Sequence, residues 1–128
     1  MAGSFALDTN IVVAYLNNED QIRRRLAGIT AYVPGIVAGE MYHGAMRSIR
    51  VADNIASLED FLAISVVLNC HLSTARHYGE VHHALRLKGR PIPENDIWIA
   101  ATALQHGLTL VTRDAHFNQV DQLLVATW

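Results

Sequence analysis

Four carboxylates lie in or beside apolar stretches of the sequence, where an isolated charge is costly. Their residue type and spacing could support chemistry. Each adjoins or lies within an apolar stretch, and the four are Asp8, Glu40, Asp96 and Asp114. A lone acid in such a setting is costly to bury unless it is paired or bound to a cation. Four acids that meet in the folded chain therefore predict a site for a hard divalent metal, which prefers oxygen ligands.

The elements that must position these acids alternate between strands and helices. The predicted strands are Ser4–Leu7, Ile29–Val33, Ser65–Leu68, Leu108–Thr112 and Gln122–Ala126. The predicted helices are Ile11–Leu16, Asp20–Ala27, a helix that begins at Pro34 and carries Glu40, Val51–Leu62, Ser73–Leu87 and Asn95–His106. Apolar runs indicate the buried strands, and glycines after the helical stretches indicate where helices end.

This alternation predicts a three-layer α/β/α sandwich with a mainly parallel central sheet. Ligands of such sheets collect beyond the carboxyl ends of the strands. Asp8 and Asp114 both follow predicted strands, so both are expected at that edge. Asp96 is expected in the first turn of a helix, and Glu40 is expected to project beside them from a helix interior.

Size and composition indicate one globular domain spanning residues 1–128. The chain has 128 residues, of which 51% are hydrophobic and 17% are charged, so one core can form. No apolar run reaches the roughly 18 residues of a membrane span. The first eight residues lack the basic start of a signal peptide. Cys70 is the only cysteine, which excludes an internal disulfide and fits a reducing, cytoplasmic setting.

The net charge of −2 looks unfavourable for a nucleic-acid partner, but the charges are unevenly distributed. Without the four candidate acids, eight acids remain against ten basic residues. Basic residues cluster at Arg23–Arg25, at Arg47 and Arg50, and at 86–90. Each cluster also fits a solvated helix face. A bound divalent metal would further offset the acids, so nucleic acid stays a candidate substrate.

Each acid also has an ordinary structural interpretation. Asp8 precedes a helix and fits an N-cap, and Asp96 fits the positive end of its helix. Asp114 fits a loop position after a strand. Glu40 shares a helical face with Arg47, so these two residues could form an exposed ion pair.

The order of the acid-bearing stretches raises the odds of a common site. These stretches are Ala6-Leu7-Asp8-Thr9-Asn10, Ala38-Gly39-Glu40-Met41, Asn95-Asp96-Ile97-Trp98-Ile99-Ala100-Ala101 and Val111-Thr112-Arg113-Asp114-Ala115-His116-Phe117. Together they resemble the PIN-domain ribonucleases, and most closely the VapC-type toxins of toxin–antitoxin pairs. The resemblance runs over nearly the whole chain in the same order.

This resemblance implies that the four acids, Asp8, Glu40, Asp96 and Asp114, bind Mg²⁺ or Mn²⁺ and are catalytic. It implies supporting roles for Asn10 and Thr112, which match polar positions beside the site. Some relatives carry another acid shortly after the position of Asp114, where this chain has His116, so occupancy of a second metal site stays open. Glu94 is a possible outer-shell acid.

The activity implied by the resemblance is metal-dependent endoribonuclease activity, by in-line attack of a bound water on an RNA phosphodiester. The implied partners are a structured RNA, such as a tRNA or rRNA loop, and a small cognate antitoxin. A homodimer or a hetero-oligomer with the antitoxin is the implied assembly.

Two alternative functions use the same acids. A receiver-like signalling module would need a phosphoacceptor Asp after the strand Ser65–Leu68 and a late lysine, but the sole lysine, Lys88, precedes Asp96. A DNA-directed or structure-specific nuclease would use the same acidic cluster. A zinc site is disfavoured because the adjacent His82 and His83 point to different sides of a helix.

Overall fold

A computed structural model describes residues 3–128 of the chain, and Met1 and Ala2 of the predicted domain lie outside the described residues. The strands are β1 (Phe5–Leu7), β2 (Ala31–Pro34), β3 (Val66–Leu68), β4 (Thr109–Val111) and β5 (Val125–Ala126). The helices are α1 (Thr9–Leu16), α2 (Asp20–Leu26), α3 (Gly35–Met46), α4 (Val51–Ala63), α5 (Leu72–Lys88) and α6 (Glu94–His106), with a 3₁₀ helix at Ala115–Gln119.

The strands form one sheet in the order β3-β2-β1-β4-β5, and every pairing within residues 3–128 is parallel. Leu7 of β1 pairs with Val111 of β4, so these two central strands end at the same level. Helices flank the sheet, which confirms the predicted three-layer α/β/α fold. The sequence predicted a mainly parallel sheet, whereas every described strand pair is parallel, including the short β5 beside β4.

The core lies on both faces of the two central strands. Ala6, Leu7, Leu110 and Val111 are all fully buried. Parallel strands covered by helices on both faces carry continuous apolar runs, because neither face contacts water. These short strands are therefore rigid supports for the residues that follow them at the carboxyl edge of the sheet.

The helices end close to the residues at which the sequence predicted their ends. Gly89 and Gly107 close α5 and α6 with φ of +65° and +62°, a left-handed conformation that favours glycine. Pro34 is the last residue of β2 and the N-cap of α3, whereas the sequence predicted it as the first helical residue. Its ψ of 140° is extended, so the strand continues through it. The 3₁₀ helix at Ala115–Gln119 was not predicted.

Among residues 3–128, no helix combines the length and the apolar character that crossing a membrane requires.

Candidate functional site

The ends of β1 and β4 bring two of the predicted acids to one edge of the sheet. Asp8 directly follows β1, and its backbone N–H donates to the carbonyl of Val111 at the end of β4 over 3.0 Å. Asp114 lies three residues after Val111, where it caps the 3₁₀ helix. The parallel register of the two strands therefore places both acids at the carboxyl edge, as the sequence predicted.

Asp8 is buried, with only 5% of its surface exposed, and it is held by hydrogen bonds. Asp8 Oδ1 accepts from the N–H of Thr9 over 2.8 Å as the N-cap of α1. Asp8 Oδ2 accepts from the hydroxyl of Thr112 over 2.7 Å and from the amide of Asn10 over 3.4 Å. Burial raises the pKa of Asp8 above its ordinary value, and the hydrogen bond from Thr112 opposes that shift. Asp8 is thus both a helix cap and a buried acid facing the other acids.

Glu40 projects from α3 toward the start of α1. Glu40 Oε1 accepts a 2.7 Å hydrogen bond from the hydroxyl of Thr9. The ion pairs found within residues 3–128 do not include a pair between Glu40 and Arg47, which was its ordinary interpretation. The structure therefore turns Glu40 toward Asp8, whose neighbour Thr9 anchors it.

Asp96 and Asp114 meet on either side of the imidazole of His116. Asp96 Oδ2 lies 3.1 Å from His116 Nδ1, and Asp114 Oδ1 lies 3.0 Å from His116 Nε2. One ligand atom from each of these three side chains lies within 4.8 Å of the other two. The donor atoms of this group are close enough together to bind one metal ion after a small movement of the side chains.

The four acids share one electrostatic environment. The pKa of Asp96 is raised to about 6, chiefly by burial and then by repulsion from Asp8 and Asp114. Glu40 adds a smaller repulsion, and attraction to His116 partly offsets the shift. Carboxylates crowded into a partly buried site disfavour one another's ionised forms unless a cation compensates. The arrangement therefore fits a divalent cation, and we refer to Asp8, Glu40, Asp96 and Asp114 as the acidic site.

The residues predicted to support the site contact it directly. Thr112 donates to Asp8, and its hydroxyl accepts from the backbone N–H of Asp114 over 3.0 Å. Asn10 donates to Asp8, and its side-chain oxygen accepts from the N–H of Arg113 over 3.3 Å. Both therefore connect the end of β1 to the loop after β4, while their roles in activity stay predictions.

Two further residues belong to this neighbourhood and were not predicted as site residues. Thr9 anchors Glu40, and its only sequence signal is its position directly after Asp8. His116 contacts two acids, whereas the sequence indicated only that it replaces an acid of some relatives. Glu94, the possible outer-shell acid, instead accepts a hydrogen bond from the hydroxyl of Tyr78 on α5.

The fold and the site together define an α/β/α protein with a carboxylate cluster at the carboxyl edge of a parallel sheet. A model of the PIN domain family matches residues 5–123. Ribonuclease VapC2 of Haemophilus influenzae is 35% identical over 97% of both chains. The tRNA(fMet)-specific endonuclease VapC of Salmonella typhimurium is 30% identical over 97% of both chains. The chain belongs to the PIN-domain family and, within it, to the VapC proteins.

Two solved VapBC structures share the fold of this chain. VapBC from Salmonella typhimurium, solved bound to DNA, has a TM-score of 0.92 at 29% identity, with 99% of each chain covered. VapBC2 from Rickettsia felis, bound to a DNA fragment from their promoter, has a TM-score of 0.91 at 29% identity, covering 97% of this chain and 98% of that one. These similarities favour the nuclease over the receiver-like alternative.

Proposed function

We propose that this VapC-type ribonuclease is the toxin of a type II toxin–antitoxin pair and hydrolyses RNA phosphodiesters with Mg²⁺ or Mn²⁺. The observation that carries the proposal is the convergence of Asp8, Glu40, Asp96 and Asp114, whose mutual repulsion and burial raise the pKa of Asp96 to about 6. Such a cluster would repel a phosphodiester by itself, so it needs a cation to work on RNA.

In this proposal the acidic site holds the ion. Asp8, Glu40 and Asp96 would hold the principal ion, and Asp114 would bind it through water or help to hold a second one. A divalent ion held there would supply the positive charge needed to activate a water, orient the phosphate and stabilise the leaving oxygen. Mg²⁺ keeps several waters and needs few protein ligands, which suits side chains at the open edge of a sheet.

The remaining residues of the site keep the acids in place. Thr9 holds Glu40, and Thr112 holds Asp8 while it also accepts from the backbone of Asp114. A carboxylate held by a hydrogen bond loses rotational freedom before the ion or the substrate binds. Pre-organised ligands of this kind reduce the reorganisation required at the moment of reaction.

A groove beside the acidic site carries an arginine, a side chain that can contact RNA phosphates. It runs along α3 and reaches Glu40, and His43, Gly39 and Arg47 lie on its wall. The side chain of Arg47 is exposed. An added Cβ at Gly39 would meet open space, so the helix surface there is open. A cation beside acids that hold a metal can contact the phosphates that flank the cleaved bond.

The substrate in this proposal is a loop of a structured RNA. The Salmonella typhimurium relative named as a tRNA(fMet)-specific endonuclease makes tRNA the first candidate, with an rRNA loop as the second. Single-stranded loops expose bases and phosphates that a duplex hides, which is why sequence-specific RNA recognition targets them.

A small antitoxin is the proposed protein partner. The two related structures are VapBC complexes, both solved bound to DNA and one of them to a promoter fragment. They support an oligomeric complex of this chain with an antitoxin. An antitoxin that places a basic side chain among the acids would replace the metal electrostatically. Co-expression with the neighbouring small reading frame should give a stable, inactive complex; RNA cleavage by that purified complex would contradict inhibition.

We further propose that residues 1–128 act as one domain. The family match spans residues 5–123, and one hydrophobic core includes residues from β1 to the 3₁₀ helix. A single cooperative unfolding transition, seen alike by circular dichroism and by tryptophan fluorescence, is the expected result.

The test of the proposed function compares wild type with Asp8→Asn. The amide keeps the size of the buried side chain but removes the charge that binds a cation, so RNA cleavage should be abolished while the fold is retained. Asp60→Asn is the matched control, because Asp60 is an exposed acid on α4 away from the site. Full activity of Asp8→Asn would refute the assignment.

The substrate is identified by mapping cleaved ends in cellular RNA after induction of each variant. Ends that carry 5′-phosphates and appear with wild type and Asp60→Asn, but not with Asp8→Asn, support the proposal. Cleavage of single-stranded DNA or flap substrates with Mg²⁺, without cleavage of RNA, would instead favour the DNA-directed nuclease.

A further inference from the structure

His116 is placed between two acids by a local turn. The side chain of Asp114 accepts from the backbone N–H of His116 over 3.1 Å and so begins the 3₁₀ helix. This turn brings the imidazole back over Asp114, with Nε2 3.0 Å from Asp114 Oδ1. On its other side, Nδ1 lies 3.1 Å from Asp96 Oδ2, which comes from the first turn of α6.

The donor atoms of this group are close enough to share an ion. One atom from each of Asp96, Asp114 and His116 lies within 4.8 Å of the others. Two nitrogen or oxygen ligands at about 2.0–2.2 Å from one ion lie at most about 4.4 Å apart. Binding therefore requires only a small contraction of three side chains, and His116 is exposed enough to move.

The chemistry of the donor set departs from an all-carboxylate site. Mg²⁺ and Mn²⁺ both favour oxygen ligands, but Mg²⁺ dehydrates reluctantly, whereas Mn²⁺, a transition-metal dication, accepts an imidazole nitrogen more readily. A histidine that binds a metal through one ring nitrogen commonly donates the other N–H to a carboxylate. His116 Nδ1 hydrogen-bonds with Asp96 Oδ2, so Nε2 can face an ion while Nδ1 keeps that hydrogen bond.

We propose that His116 is a nitrogen ligand at the edge of the acidic site, and that with Asp96 and Asp114 it makes this site prefer Mn²⁺ to Mg²⁺. The inference rests on the proposed function, because it requires the acids to bind a divalent ion. It adds a ligand to the four acids, and it assigns a metal preference to the position where some relatives carry an acid.

A competing interpretation predicts the opposite change in Mn²⁺ affinity when the side chain of His116 is removed. If His116 serves only as a cation that pairs with Asp96 and Asp114, it competes with the metal for the same carboxylates. Removing its side chain would then strengthen binding of Mn²⁺. If His116 is a ligand, removing it weakens binding of Mn²⁺ and leaves binding of Mg²⁺ less affected.

The experiment uses the full chain, purified without metal, as wild type, His116→Ala, His116→Asn and His83→Ala. His83→Ala is the matched control, because His83 is an exposed histidine on α5, a helix that carries none of the four acids of the acidic site. His116→Asn keeps a polar side chain of similar reach but offers no imidazole nitrogen. Melting temperatures of the metal-free variants check that each one folds.

Two measurements decide the proposal. Mn²⁺ binding is followed by the EPR signal of the free ion, alone and in competition with Mg²⁺, and pulsed EPR of the bound ion reports coupling to a ring nitrogen. Wild type and His83→Ala should show that coupling, and both His116 variants should lack it. The two His116 variants should bind Mn²⁺ at least about tenfold more weakly than wild type, as expected when a ligand or its partner is removed. Their loss of affinity for Mg²⁺ should be smaller.

Failure of this inference can be distinguished from failure of the proposed function. The inference is overturned if Mn²⁺ fails to bind, if bound Mn²⁺ shows no nitrogen coupling, or if His116→Ala binds Mn²⁺ as tightly as wild type or more tightly. RNA cleavage that depends on Asp8, without nitrogen coupling, would leave the ribonuclease proposal standing. Nitrogen coupling in a chain that cleaves no RNA would support the ligand and overturn the ribonuclease.

Discussion

The hydroxyl of Thr112 donates a 2.7 Å hydrogen bond to Asp8 Oδ2 and joins positions that are 104 residues apart in sequence. Thr112 is 1% exposed, and the same hydroxyl accepts from the backbone N–H of Asp114 over 3.0 Å. One side chain therefore links the acid that follows β1 to the acid that follows β4. Because Asp8 is buried, each hydrogen bond that it accepts is worth more than it would be in water.

Replacing Thr112 by Val should weaken metal binding and cleavage without unfolding the chain. Valine has the shape of threonine but can neither donate to Asp8 nor accept from Asp114, so the carboxylate loses its orientation. Partners that orient metal ligands are typically worth 10- to 100-fold in metal affinity or activity, so a loss of about that size is expected. The measurement is Mg²⁺-dependent RNA cleavage at several metal concentrations. Thr112→Ser, which keeps the hydroxyl, should retain most activity; equal activity of the Val variant and wild type would show that the bond has no such role.

The raised pKa of Asp96 predicts that this carboxyl stabilises the metal-free folded chain more in mild acid than at neutral pH. The pKa of this carboxyl is about 6 in the folded chain, above its ordinary value of 3.8, so the folded state binds more protons between these values. The contribution of Asp96 to the free energy of unfolding should therefore fall as pH rises from about 4 to about 6 and level off above that range. The raised pKa of Asp8 acts in the same direction.

Asp96→Asn is the variant that tests this pH dependence. Its side chain has no titration, so its free energy of unfolding should lose the part of the slope due to Asp96, no more than about 3 kcal/mol before solvent screening. Urea unfolding of both proteins at several pH values, in the presence of a chelator, measures the difference. Parallel pH profiles for the two proteins would count against a raised pKa at Asp96.

Divalent metal should raise the melting temperature of wild type through binding to the folded state. Stabilisation follows from mass action and reaches about 2.7 kcal/mol at a free-metal concentration one hundred times the dissociation constant. Asp8→Asn should show a much smaller rise, because one charge of the acidic site is missing. A chelator should reverse the effect in wild type. An equal rise in both proteins would place the stabilising ion elsewhere on the surface.

Reversing the charge of Arg47 should impair substrate binding more than the chemical step. Arg47 lies in the groove that reaches Glu40, so Arg47→Glu should raise KM for RNA by repelling phosphates, while kcat changes less. Arg76→Glu on α5 is the control, because Arg76 is exposed and pairs with Glu80 away from the groove. Cleavage by the Arg47 variant should also depend less on salt, since it makes fewer phosphate contacts. Identical behaviour of the two variants would remove the groove from the RNA path.

Much of the fold was predictable because local signals agree with the global arrangement. Apolar runs indicated the strands that became β1 and β4, and Gly89 and Gly107 marked the ends of α5 and α6. The strand boundaries at Pro34 and after Leu124 differed by a few residues. The 3₁₀ helix was missed, because it depends on Asp114 accepting from His116, a contact with no periodic sequence signal.

The sequence by itself determined the α/β order of the chain and the positions of the four acids at strand ends and on helices. A parallel sheet brings its carboxyl ends to one edge whatever the details of packing, so convergence of Asp8 with Asp114 could be inferred in advance. Only the tertiary structure decided that Glu40 contacts Thr9 and that His116 lies between Asp96 and Asp114. These contacts depend on how α3, α6 and the loop after β4 pack together. Burial and repulsion among acids distant in sequence set the pKa of Asp96.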